Sequence, residues 1–82
     1  MTKAFDLYEF HGIKVPYEEL FDKEDRYYNI HKMVFDTAVN AVRTGIERRK
    51  WSKETICKNL YIRPEVYEWY KLYLDDVEPE YY

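Results

Sequence analysis

The sequence predicts a small, mainly α-helical domain with a long central helix and two shorter helices near the C-terminus. Three observations carry this prediction. Between residues 24 and 50, polar side chains recur at spacings of three and four, the period of an α-helix. Ser52 suits the start of a second helix, and Pro64 suits the first turn of a third. Since there are no internal repeats and no linker-like stretch, we expect a single domain over residues 1–82.

The N-terminal segment, residues 1–22, is expected to hold a ribbon and a short helix. Residues 5–15 alternate apolar and polar side chains around His11 and Gly12, so one interpretation is a β-hairpin with a positive φ at Gly12. Pro16 then suits the first turn of a short helix through Phe21, where its missing N–H costs nothing.

The long helix is expected over residues 24–50. Its apolar side chains cover more than half of the circumference, wider than the roughly 100° that a surface helix needs. One side therefore faces the core, and the other needs a partner, either the N-terminal segment or a second copy of the chain. Gly45 costs about 1 kcal/mol relative to alanine in a helix, so a bend or an end is expected there. The polar stripe consists of Asn29, Lys32, Asp36, Asn40, Arg43 and Glu47.

The segment 52–74 is expected to form two helices joined by a tight corner. The Ser52 hydroxyl can accept a hydrogen bond from the first-turn amides of a helix that runs to about Leu60. Arg63 precedes Pro64, which disfavours α geometry at Arg63 and places the start of the next helix at Pro64. That helix is expected to run to about Leu74.

The residues of this corner resemble the helix-turn-helix of repressor and sigma-factor-like regulators, over residues 51–74. Cys57 stands where the family has a small residue in the first helix. Tyr61 stands where the family usually has a glycine in a left-handed conformation, which costs a residue with a Cβ about 1 kcal/mol or more. Tyr67 also replaces a usually aliphatic residue. The aliphatic positions that close the corner are matched by Ile56, Leu60 and Ile62.

The resemblance implies that the second helix of the corner enters the major groove of DNA. Its outward positions would be Arg63, Glu65, Glu68, Trp69 and Leu72. The two glutamates would be repelled by the DNA phosphates. The affinity for DNA would therefore have to come from a basic block before and along the first helix of the corner. Residues 43–63 carry 7 basic and 2 acidic side chains. The candidate DNA contacts are Arg43, Arg48, Arg49, Lys50, Lys53, Lys58 and Arg63. The block is equally typical of a solvated helix end.

A second interpretation is an acidic, Tyr-rich inhibitor or adaptor of the phage type that binds a basic, nucleic-acid-binding host protein. Residues 64–82 carry 1 basic and 6 acidic side chains among many aromatic ones, and tyrosine and tryptophan dominate binding hot spots. Its candidate contacts are Glu65, Glu68, Trp69, Leu72 and Tyr73. Residues 75–82, which are acidic and contain Pro79, are expected to form a frayed tail.

Other function classes lack support in the sequence. His11, His31 and Cys57 do not have the spacing of a zinc site, and Cys57 is interpreted as a packing residue. No Gly-rich phosphate loop or nucleophile-base pattern occurs, so we expect neither an enzyme nor a cofactor nor a small-molecule substrate. No apolar stretch is long enough to span a membrane, and a single cysteine fits a reducing compartment, so a cytoplasmic protein is expected. The leading hypothesis is a DNA-binding regulator in the style of phages or mobile elements, as a monomer or a homodimer.

Overall fold

The computed structural model describes residues 14–81, which have the mainly α-helical architecture that the sequence predicts. A 3₁₀ turn at Tyr17–Glu19 precedes three α-helices, namely α1 at Tyr28–Glu47, α2 at Lys53–Leu60 and α3 at Pro64–Lys71. The described residues contain no strand. The hairpin expected around Gly12 lies outside them.

The start of α1 lies at Tyr28 rather than at about Glu24. Asp22 Oδ1 accepts a hydrogen bond from the Glu24 amide at 3.0 Å, and Asp25 Oδ1 accepts one from the Tyr27 amide at 2.8 Å. Such local side-chain bonds hold the backbone in turns and compete with the helical hydrogen-bond pattern. The aspartates therefore delay the helix that the apolar periodicity alone would start earlier.

Gly45 does not end α1, as the sequence had suggested it could. The helix continues to Glu47 and ends where Lys50 takes a left-handed conformation with a φ of 56°. The glycine is required by packing, because a Cβ at this position would lie 2.8 Å from Cγ1 of Ile56 in α2. Gly45 thus sets the close approach of α1 and α2.

The corner between α2 and α3 has the predicted local geometry. Ser52 Oγ accepts a hydrogen bond from the Thr55 amide at 3.2 Å and caps α2. Tyr61 ends α2 in the left-handed region, with φ 56° and ψ 43°, and the Ile62 amide donates to the Cys57 carbonyl at 3.1 Å. Arg63 is extended, as expected before Pro64. α3 stops at Lys71, three residues short of the predicted end, and residues 72–76 form turns.

Two apolar clusters hold the helices together. The larger one joins the 3₁₀ turn, α1, α3 and the residues after α3, and its buried members are Leu20, Phe21, Phe35, Val39, Trp69, Tyr73 and Val77. The smaller one lies under the corner, and its buried members are Val42, Ile56 and Tyr67. Cys57 is half-buried against this second cluster, in agreement with its interpretation as a packing residue.

Residues 77–81 are docked along α1, so the prediction of a frayed tail was wrong for this part of it. Val77 is buried in the larger cluster, and the Asn40 amide nitrogen donates to the Glu78 carbonyl at 3.0 Å. Asn40 Oδ1 in turn accepts from the Glu80 amide at 2.8 Å. The Tyr81 hydroxyl donates to Glu47 Oε1 at 2.7 Å. Asn40 of the polar stripe thus binds the backbone of residues 78 and 80.

Candidate nucleic-acid interface

The basic block lies on the turn after α1 and along α2. Arg48, Arg49 and Lys50 follow α1, Lys53 opens α2, and Lys58 lies in the last turn of α2. All five side chains are exposed. They form a set of cations that we call the corner cations.

Three of the corner cations lie over aromatic rings: Lys53 Nζ is 5.6 Å from the ring centroid of Tyr67, and both arginines make closer ring contacts. The Arg48 guanidinium lies 4.4 Å from the ring centroid of Tyr81, and that of Arg49 lies 5.0 Å from the ring centroid of Trp51. A ring contact uses the face of a guanidinium and leaves its in-plane N–H donors available to an oxyanion. The ring contacts therefore restrict these two side chains without consuming their capacity to bind phosphate.

Arg43 does not belong with the corner cations. Its side chain is 3% exposed, and its guanidinium donates to the Leu74 carbonyl, to the Val77 carbonyl at 3.1 Å and to Asn40 Oδ1. Because these donors are occupied inside the molecule, Arg43 has no path to a phosphate. We remove it from the candidate DNA contacts.

A salt bridge joins the two helices of the corner. Lys53 Nζ lies 2.9 Å from Glu68 Oε1, and both side chains are about half exposed. The hydrogen bond from Lys53 lowers the pKa of Glu68, and the same bond raises the pKa of Lys53. An exposed pair of this kind adds little stability, but it places a cation against one of the two α3 glutamates that would oppose DNA.

The residues predicted to bind a protein partner fall into a buried group and a group that solvent reaches. Trp69 is 5% exposed and Tyr73 is fully buried, so both rings belong to the core and are not available to a partner. Glu65 is exposed, and Glu68 and Leu72 are half-buried. The sequence could not separate these residues, since aromatic side chains crowd α3 on all sides.

Tyr61 is a surface residue that the list of candidate contacts missed. Its side chain is 95% exposed at the tip of the turn between α2 and α3. The signal was present in the sequence as a tyrosine where a glycine was expected. By itself that signal indicates a steric cost to the turn and does not indicate a contact.

An apolar patch lies on the first half of α1 and just before it. Its side chains are exposed and recur at helical spacing, and they are Tyr27, Ile30, Met33 and Val34. This agrees with the expectation that the second side of the long helix is not covered by the core. A shallow groove of about 300 Å³ runs beside it, between α1 and the tail, lined in part by Asp36, Asn40 and Glu78.

The described residues hold no cluster of metal-ligating side chains. Within residues 14–81 no three His, Cys, Asp or Glu side chains are grouped to hold a metal ion. His31 packs at the edge of the Tyr27 ring and lies 4.0 Å from the Asp25 carboxylate. No helix in this part of the chain is long and apolar enough to cross a membrane.

Comparison with protein-family models, curated proteins and solved structures finds no match. The helix-turn-helix resemblance therefore stays a prediction that rests on the corner itself. Its geometric part, two helices joined by a three-residue turn at residues 61–63, is present in the fold.

Proposed function

We propose that this chain is a small DNA-binding protein of the helix-turn-helix type, with a regulatory role. The observation that supports the proposal most strongly is the exposure of the corner cations on the turn before α2 and along α2. In a helix-turn-helix the first helix lies against the phosphate backbone, which is where such cations supply affinity. Arg63, exposed immediately before α3, would be placed to reach a base edge.

The acidic side chains near α3 oppose DNA less than their number suggests. Glu68 is paired with Lys53, and Asp76 Oδ2 lies 2.7 Å from Lys14 Nζ. Each pair cancels one acidic charge on the surface, and Lys53 is then no longer among the corner cations that are free to meet a phosphate. Glu65 remains as the exposed glutamate of α3 and would accept most favourably from a cytosine amino group.

The protein-binding alternative is weakened by the core position of its two aromatic anchors. A hot spot needs rings that a partner can cover, and Trp69 and Tyr73 are already buried in this chain. Substitution of Trp69 would therefore unfold the domain rather than report on a partner. A cytoplasmic location remains part of the proposal and rests on the single cysteine.

The test measures binding of a labelled mixed-sequence duplex by fluorescence anisotropy at 50 and 200 mM salt. We expect wild-type affinity to fall steeply with salt, with a slope set by about four or five neutralised phosphates. Charge reversal by Arg48→Glu with Arg49→Glu should abolish binding at 50 mM salt. If the wild type shows no salt-dependent binding at low ionic strength, the DNA proposal is wrong.

A matched control separates a local site from a general charge effect. Lys23→Glu with Arg26→Glu changes the net charge by the same amount but lies before α1, roughly 30 Å of helix away from the corner cations. This variant should keep most of the wild-type affinity. Equal loss in both double variants would contradict the placement of the site, provided that circular dichroism shows both to be folded.

A homodimer also remains a proposal. Its contact would use the apolar patch of α1, because large exposed apolar side chains at helical spacing are typical of protein contacts. Sedimentation at micromolar concentration should then show a dimer that Met33→Glu converts to a monomer. A wild-type monomer at that concentration would remove the dimer without affecting the DNA proposal.

A further inference from the structure

Tyr61 combines two properties that a purely structural residue would not be expected to combine. Its backbone is in the left-handed region, with φ 56° and ψ 43°, which a residue with a Cβ adopts at a steric cost. Its side chain is 95% exposed, so hardly any of its ring is covered by packing within the chain to offset that cost. Glycine or asparagine would satisfy the turn better.

The surroundings of Tyr61 are basic. Lys58 precedes it by three residues in the last turn of α2, and Arg63 follows it by two at the start of α3, and both are exposed. The tyrosine thus stands at the tip of the corner, between the helix proposed to lie on the backbone and the helix proposed to enter the groove. A phenolic hydroxyl there is a neutral donor suited to a phosphate oxygen.

We propose that Tyr61 is a DNA-binding residue whose hydroxyl donates a hydrogen bond to a backbone phosphate. The inference rests on the proposed function and adds a contact to the same site. Backbone strain at an exposed residue is commonly associated with function. A substitution that relieved the strain would also remove the side chain that makes the functional contact. The tyrosine fixes the register of the corner on the duplex, while the cations supply the salt-dependent affinity.

The experiment compares the Tm and the duplex affinity of wild type, Tyr61→Asn, Tyr61→Gly and Tyr61→Phe. Asparagine tolerates the left-handed region and lacks the ring, so Tyr61→Asn should raise the Tm by about 2–5 °C. The same variant should weaken DNA binding about three- to tenfold, the range expected for one lost hydrogen bond. Tyr61→Phe should weaken binding to a similar extent with no gain in Tm, because its backbone remains strained.

The salt dependence provides a readout that separates the tyrosine from a cation. Tyr61→Asn should lower the affinity without changing its slope against salt, since no cation is removed. Lys58→Ala should reduce the magnitude of that slope by about one. Unchanged affinity in Tyr61→Asn, with wild-type DNA binding intact, overturns the inference but leaves the proposed function standing. A fall in Tm would also overturn it, because the ring would then be structural. Absence of wild-type DNA binding would overturn both the Tyr61 inference and the proposed function.

Discussion

The buried guanidinium of Arg43 donates a 3.1 Å hydrogen bond to the carbonyl oxygen of Val77, across the interface between α1 and the C-terminal tail. The same group donates to the Leu74 carbonyl and to Asn40 Oδ1. One side chain therefore satisfies the carbonyls of Leu74 and Val77, which both lie beyond the C-terminal end of α3. Hydrogen bonds between α1 side chains and the tail backbone hold the tail in place, together with the burial of Val77.

Arg43→Leu is expected to lower the free energy of unfolding by about 2–4 kcal/mol, because it leaves buried carbonyl oxygens without donors. That is a large share of the stability of a domain this small. Urea unfolding followed by circular dichroism measures the change. Lys58→Ala, at an exposed position, should stay within about 0.5 kcal/mol of wild type. Equal stability of Arg43→Leu and wild type would contradict the assigned role.

The Arg43 interaction also marks where sequence reasoning reached its limit. Periodicity identified the stripe that contains Asn40 and Arg43, because it reports which residues share a face of a helix. It does not report what that face contacts. The contact here is backbone at residues 74, 77, 78 and 80, and backbone groups leave no pattern in a sequence. An acidic segment with a proline therefore resembled a free tail.

The corner was more predictable than the tail because its signals are local. Ser52 as a cap and extended Arg63 before Pro64 each follow from the steric or hydrogen-bonding preferences of one or two residues, whereas a left-handed residue at Tyr61 is what the helix-turn-helix resemblance implies. Which aromatic side chains of α3 are buried depends instead on distant partners. Trp69 packs its ring 5.0 Å from that of Phe35 in α1, a relationship that the pattern of α3 alone does not contain.

Gly45→Ala should destabilise the protein by about 1–2 kcal/mol, although alanine is the better helix former. The added Cβ would lie 2.8 Å from Ile56 Cγ1, and overpacking of this kind outweighs the gain in helix propensity of about 1 kcal/mol. Thermal unfolding measures the difference. In an Ile56→Ala background the contacted atoms are gone, so the same substitution should be neutral or stabilising. A destabilisation of equal size in both backgrounds would contradict the packing explanation.

Ser52→Ala should cost about 1 kcal/mol through loss of the cap on α2. Ser52 Oγ accepts from the Thr55 amide at 3.2 Å, and alanine leaves that amide to water. Ser52→Asp keeps an acceptor at the same place and should retain near wild-type stability. The measurement is the midpoint of urea unfolding for the three proteins. If aspartate were as destabilising as alanine, the hydroxyl would not be acting as a cap.

Tyr17→Phe tests how one hydrogen bond makes the free energy of unfolding depend on pH. The Tyr17 hydroxyl donates to Asp36 Oδ1 at 2.6 Å. Burial is the main cause that raises the pKa of Tyr17 well above its usual range, followed by this bond to the carboxylate. In the unfolded chain the phenol ionises near pH 10, so above that pH the unfolded state loses a proton that the folded state keeps.

The stabilisation from the Tyr17 hydroxyl is therefore complete below about pH 10 and is lost as the pH rises above that value. Wild type should lose stability between pH 10 and 11.5 more steeply than Tyr17→Phe, whereas the two curves should run parallel from pH 7 to 9. At neutral pH the variant should be about 0.5–1.5 kcal/mol less stable, through the lost hydrogen bond. Urea unfolding across this pH range measures both effects. Parallel curves up to pH 11.5 would mean that Tyr17 ionises equally easily in the folded and unfolded chains, which would contradict the partly buried hydrogen bond to Asp36.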